Sequence, residues 1–81
     1  MTGAVPGQLR WHCRRGMKEL DVLLERWLDR RWACADPGAR AAFVRLLELP
    51  DPQLVDWLLQ GGRPADAAIA GLVDDILQPR D

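Results

Sequence analysis

"MKELDVLLERWLDRRW", Met17 to Trp32, places Leu20, Leu23, Leu24, Trp27, Leu28 and Arg31 at positions i, i+3, i+4, i+7, i+8 and i+11. That spacing follows the 3.6-residue turn of an α-helix, so one face is apolar and the remainder carries charge. Glu19 and Asp21 stand in the first turn, where the helix dipole favours negative charge. The stripe closes on Arg31, which predicts that the helix leaves the core there. A helix over about Met17–Trp32 is therefore the frame to which the flanking segments must fit.

Upstream, Leu9 to Arg15 is expected to form a short helix stopped by Gly16, a residue suited to the left-handed conformation that closes helix C-termini. Arg14 and Arg15 would then sit where the dipole favours cations. Downstream, "DPG" at Asp36–Gly38 pairs a capping aspartate with a proline at the first helical position, opening a helix through Phe43, Leu46 and Leu47. "PDP" repeats the device: Asp51 is expected to cap and Pro52 to start a short helix that buries Leu54, Val55, Trp57, Leu58 and Leu59. Gly61 and Gly62 stop it. Beyond Pro64, the segment from Ala65 or Asp66 to Leu77 sets Ala68, Ile69, Leu72, Val73 and Ile76 on one face.

β-Branched residues are scarce and no period-two alternation persists, so strands are not expected. The fold class is all-α: a compact single-domain bundle of about five short helices over residues 1–81, with residues 1–7 and 79–81 expected to be flexible. No internal repeat or low-complexity tract interrupts it. With 48% hydrophobic and 28% charged residues, 81 residues suffice for one core and are too apolar for a disordered chain.

The same totals narrow function. A net charge of −1 gives no global field to recruit nucleic acid or an anionic membrane. No apolar run approaches the ~20 residues of a membrane span, and "MTGAVPGQLRW" lacks both a signal-peptide core and transit-peptide character. The expectation is a cytoplasmic bacterial protein, or a mature organellar form, without membrane insertion. Two cysteines, Cys13 and Cys34, and one histidine, His12, are too few for a closed zinc site, so no metal is expected and both thiols are read as reduced. None of the hydrolase, nucleotide-binding or zinc-protease motifs occurs. Cys13 and His12 do not make a nucleophile and base, because adjacent helical side chains splay about 100° apart. The chain is not read as an enzyme.

Of the four tryptophans, Trp27 and Trp57 lie on apolar faces and are expected in the core. Trp11 is balanced between packing and partner contact. It opens the remaining anomaly, "CRRGMKELD", Cys13 to Asp21. A turn between helices explains each residue type there. It does not explain why Arg10, Trp11, Arg14, Arg15, Lys18 and Glu19 crowd together, and a surface carrying them can form charge-assisted hydrogen bonds with a partner.

As a string, "WHCRRGMKELDVLL" resembles the signature of the SdhE-type family, the bacterial flavinylation factors of succinate dehydrogenase and their mitochondrial relatives. "FVRLLELPDPQLVDWLL" resembles that family's second block and "GRPAD" the stretch before its last helix, so the likeness covers most of the chain in order. "DRRWACADPGAR" departs from it, being basic and alanine-rich where relatives often carry acidic residues. The resemblance implies a five-helix bundle that acts as an assembly factor or chaperone. Its partner would be the flavoprotein subunit of succinate dehydrogenase, and possible clients extend to fumarate reductase. The family's RGxxE motif falls on Arg15, Gly16 and Glu19, flanked by Met17 and Asp21. With Trp11, Arg14 and Lys18 these are the expected partner-binding residues.

The resemblance further implies that FAD is carried by the flavoprotein and not held stably by this chain, which is expected to be a monomer when free. Histidyl-flavin attachment needs a proton lost from the flavin 8-methyl group and attack by a histidine, and the partner owns those groups. The chain would supply geometry, with Arg15 donating to a partner carboxylate or carbonyl and Glu19 accepting. Two other readings stay open on the residues alone. A small nucleic-acid binder would set Arg10, Arg14, Arg15 and Lys18 on phosphates with Trp11 stacked on a base, although nucleic acid is not the expected partner. A generic helical adaptor would serve a partner unrelated to flavin.

Overall fold

The computed structural model describes residues 7–78, which form five α-helices and no strand. These are α1 (Gly7–His12), α2 (Lys18–Arg31), α3 (Pro37–Leu47), α4 (Asp51–Leu59) and α5 (Ala67–Leu77), with a 3-10 turn at Trp32–Cys34. The all-α expectation holds. The flexibility expected of residues 1–7 and 79–81 falls outside the described residues, except at Gly7, which opens α1.

α5 packs against α2, α3 and α4, and α2 packs against both α4 and α5. The periodic stripe of α2 explains its contacts: Leu20, Leu24, Trp27 and Leu28 are buried, and Leu23 packs at the margin. They meet Phe43 and Leu46 of α3, Leu54 and Leu58 of α4, and Ile69, Leu72, Val73 and Ile76 of α5. Trp57, expected in the core, packs against it only half-buried, and Ala68 is exposed in the first turn of α5.

An aromatic trio holds α2 to α3. Trp27 stacks on Phe43 with centroids 4.5 Å apart and planes 19° apart, and Trp32 meets Trp27 and Phe43 edge-on, at 6.3 Å from each. Each such pair adds about 0.5–1.5 kcal/mol beyond its buried area. Burying an indole requires a partner for its N–H, and Trp27 Nε1 donates to Asp75 Oδ2 at 2.7 Å. The same carboxylate accepts from Arg31, through Nε at 3.2 Å and Nη2 at 2.8 Å. Arg31 therefore does not mark where α2 leaves the core. It ties that end of the helix to α5.

Of the two expected aspartate caps the one at Asp36 forms, and Asp66 adds a cap not anticipated from the sequence. Asp36 accepts from Ala39 N at 2.7 Å, and Asp66 from Ala68 N at 2.8 Å and Ile69 N at 3.1 Å. The Ile69 N–H and the Arg45 guanidinium hold the Asp66 carboxyl below its ordinary range, so this cap keeps its charge into acid solution. The cap expected at Asp51 does not form. Pro50 is the N-cap of α4 and Asp51 its first residue, with no side-chain cap bond. Extended Pro50 (φ −64°, ψ 149°) already has N-cap geometry, and its C=O accepts from Gln53 N at 3.1 Å. The Asp51 carboxylate is thereby released to reach across the molecule.

At the other end of α4, Gly61 adopts φ +82°, while Gln60 N donates to Val55 O at 3.1 Å and Gly62 N to Asp56 O at 2.8 Å. This satisfies the terminal carbonyls as expected of the Gly61-Gly62 stop. α1 ends earlier than its sequence pattern predicts. Cys13 N donates to both Leu9 O (3.1 Å) and Arg10 O (3.2 Å), and Arg14 N to Trp11 O (3.1 Å), a tightening that draws the Cys13 side chain fully into the core. Arg14, Arg15 and Gly16 consequently belong to the α1–α2 connection and not to a helix end.

Candidate functional site

The connection from Cys13 to Met17 is built around one residue that only glycine accommodates well. Gly16 has φ +84°, in the left-handed region, and a Cβ placed on it would meet nothing within 4 Å. The need for glycine is set by the backbone alone, and the space above it faces outward. Met17 follows as the N-cap of α2 in extended conformation, without a side-chain cap bond. The α2 dipole, Glu19 and Asp21 therefore lie directly behind the turn.

The expected site residues divide into two sets. Trp11 (73% exposed), Met17 (38% exposed), Arg14, Gly16, Lys18 and Glu19 are presented to solvent. Arg14, Lys18 and Glu19 make no ion pair with any described residue. Trp11, His12 and Arg14 line an open depression together with Arg15, Leu47 and Glu48. An exposed indole, a thioether and unpaired charges of both signs make a surface suited to another polypeptide.

Arg15 and Asp21 form the second set, and they point the other way. The Arg15 side chain is only 15% exposed. Its Nη2 donates to Leu47 O, and its Nη1 lies 3.5 Å from Leu49 O and 3.3 Å from Asp51 Oδ1. Asp21 accepts the Arg15 backbone N–H at 2.7 Å. The guanidinium expected to donate to a partner thus engages Nη1 and Nη2 inside the chain, while its Nε is buried without a hydrogen-bond partner among the described residues. The cause is the end of α3, where the last carbonyls lack helical partners, and a planar guanidinium can satisfy several at once. Sequence reasoning misses Asp51 as a member of this cluster because its "PDP" context has a local explanation.

The cluster gives the remaining chemical readings less room. Arg10 pairs with Asp29, and Arg15 with Asp51, so two of the four cations of a phosphate-binding surface are already engaged. Burial pushes the Cys13 thiol up to about 11, which keeps it protonated and unreactive at neutral pH. Cys34 is exposed and both cysteines are free. Among the described residues no group of His, Cys, Asp and Glu could hold a metal ion, and no helix is long and apolar enough to cross a membrane.

The family model described as "Flavinator of succinate dehydrogenase" matches residues 7–80, nearly the whole chain and all of the surface just described. The chain belongs to that family. Among curated relatives, the FAD assembly factor SdhE of Coxiella burnetii is 39% identical over 71 residues, which cover 88% of this chain and 87% of the relative. The FAD assembly factor SdhE of Xylella fastidiosa is 44% identical over 66 residues, covering 82% and 68%. Membership of this flavinylation-factor family bears out the resemblance, and the corner from Trp11 to Glu19 lies within the matched region.

Proposed function

We propose that this chain binds the flavoprotein subunit of succinate dehydrogenase and promotes covalent attachment of FAD to it, with fumarate reductase as a second client. The observation that carries the reading is the outward corner at Gly16, where Trp11, Arg14, Met17, Lys18 and Glu19 stand exposed on a turn fixed from behind. In this reading FAD is the partner's substrate and not a resident cofactor of this chain. The nucleophilic histidine also belongs to the partner. The chain works as a cytoplasmic monomer.

What it contributes is position. Bound at the corner, a flavoprotein is held with histidine and flavin aligned, and the loss of freedom is met by binding energy instead of by the chemical step. Glu19 accepts from a donor of the partner, while Arg14 and Lys18 face its carboxylates or carbonyls. Gly16 leaves the partner backbone free to approach, because no side chain rises from the turn.

The test is reconstitution of purified flavoprotein subunit lacking flavin with FAD, with and without this chain. Flavin that stays on the polypeptide through denaturation is then read by in-gel fluorescence. The expected result is faster and more complete attachment in its presence. Equal progress in both reactions would refute the function.

A further inference from the structure

Arg15 joins two parts of the molecule that are far apart in sequence, and the group it meets at the far side is Asp51. The α1–α2 connection is short and exposed, and its shape depends on three fastenings. Cys13 is buried at its start, Asp21 holds the Arg15 backbone N–H at 2.7 Å, and the Arg15 guanidinium spans to the α3–α4 connection. There the guanidinium meets Leu47 O, Leu49 O and the Asp51 carboxylate. The two carbonyls are fixed by the backbone at the end of α3 and in the α3–α4 connection. Asp51 is the only anionic side chain on the guanidinium among these contacts. Its carboxylate is free for that role because Pro50 caps α4 in its place.

We propose that Asp51 is a positioning residue for the docking surface: it touches no partner itself, and acts through Arg15 to hold Gly16 to Glu19 in the shape that binds. The proposal rests on the function assigned above and names a part of it that lies outside the RGxxE string. A carboxylate facing a guanidinium at 3.3 Å, with side chains 15% and 41% exposed, is a partly screened pair. Losing it should loosen the turn without unfolding the domain, since Arg15 keeps two carbonyl acceptors. A looser turn spends less time in the binding shape, so apparent affinity falls in proportion to that fraction while the rate at saturation is unchanged.

The experiment titrates purified Asp51→Ala, Asp51→Glu and wild type against a fixed amount of flavoprotein and FAD, and follows denaturation-resistant flavin. Thermal unfolding of each variant is recorded alongside. The expected result for Asp51→Ala is a half-saturating concentration raised about threefold to fivefold, with the plateau rate retained and the protein fully folded at the assay temperature. Asp51→Glu, which keeps the carboxylate and suits the first turn of a helix, should recover most of that loss. Coincident titrations for Asp51→Ala and wild type would overturn the proposal, as would a loss matched by the unfolded fraction or left unrecovered by glutamate. Gly16→Arg serves as the reference: if it fails to impair attachment, the docking reading itself is wrong. If it impairs attachment while Asp51→Ala does not, only the role of Asp51 falls.

Discussion

Gly16→Arg should strongly impair flavin attachment while leaving a folded protein. The two effects separate because the space around Gly16 is open: no atom lies within 4 Å of a Cβ built there, so the arginine side chain projects outward and disturbs no packing. The backbone does object. At φ +84° a residue other than glycine costs about 1–2 kcal/mol, which a domain of this size survives. A side chain of that bulk and charge at the centre of a contact removes at least a hot spot's worth of binding, about thirtyfold or more in affinity. Circular dichroism and thermal melting would report the fold, and in-gel flavin fluorescence the activity. Gly16→Asn serves as the control, since asparagine tolerates the left-handed region better and projects less, and it should fall between wild type and Gly16→Arg. A Gly16→Arg protein that is folded and fully active would take the turn out of the mechanism.

The largest effect on stability is expected at Phe43. It is fully buried, stacked on Trp27 at 4.5 Å and edge-on to Trp32, so its removal empties the contact between α2 and α3. Phe43→Ala should cost about 3–5 kcal/mol. At the usual stability per residue an 81-residue domain has about 4–12 kcal/mol in all. The variant should therefore be marginally folded at room temperature, with a urea midpoint far below that of wild type. Phe43→Leu, which retains most of the volume, should recover a large part of the loss. A midpoint shift equivalent to less than about 1 kcal/mol for Phe43→Ala would mean that the aromatic trio is not the anchor described.

The features that sequence conveys are those decided locally or by period. Leu20, Leu24, Trp27 and Leu28 fall on one stripe because a helix repeats every 3.6 residues, and all four are buried. Asp36 caps because an aspartate before a helix satisfies N–H groups within three residues of itself; Asp66 caps by the same rule, although the sequence leaves the start of that helix between Ala65 and Asp66. Arg15 cannot be read in the same way. Its acceptors, Leu47 O and Asp51, lie 32 and 36 residues away, and nothing near "RRG" in sequence announces them. Asp51 escapes for the complementary reason, since a plausible local role hides a distant one. Arg31 looks like the end of an apolar stripe until the fold sets Asp75 of α5 opposite it.

The corner proposed to dock the partner is legible as a concentration of residue types, and only the fold sorts them into outward and inward members. Trp11 illustrates the limit. Its pattern position is equally compatible with core and surface, and the fold leaves it 73% exposed on α1. The resulting corner is simpler than the string suggests: a glycine turn flanked by an indole, a thioether and free charges, with an arginine and two aspartates bracing it from within.

The most direct check is to titrate isotopically labelled chain with the flavoprotein subunit and follow the amide resonances residue by residue. Shifts or broadening concentrated at Trp11, Arg14 and the segment from Gly16 to Glu19, with the far end of the bundle around Asp36 and Ala68 little changed, is the predicted outcome. Perturbation centred on that far end, with the Gly16 turn unaffected, would contradict the idea that this corner seats the partner.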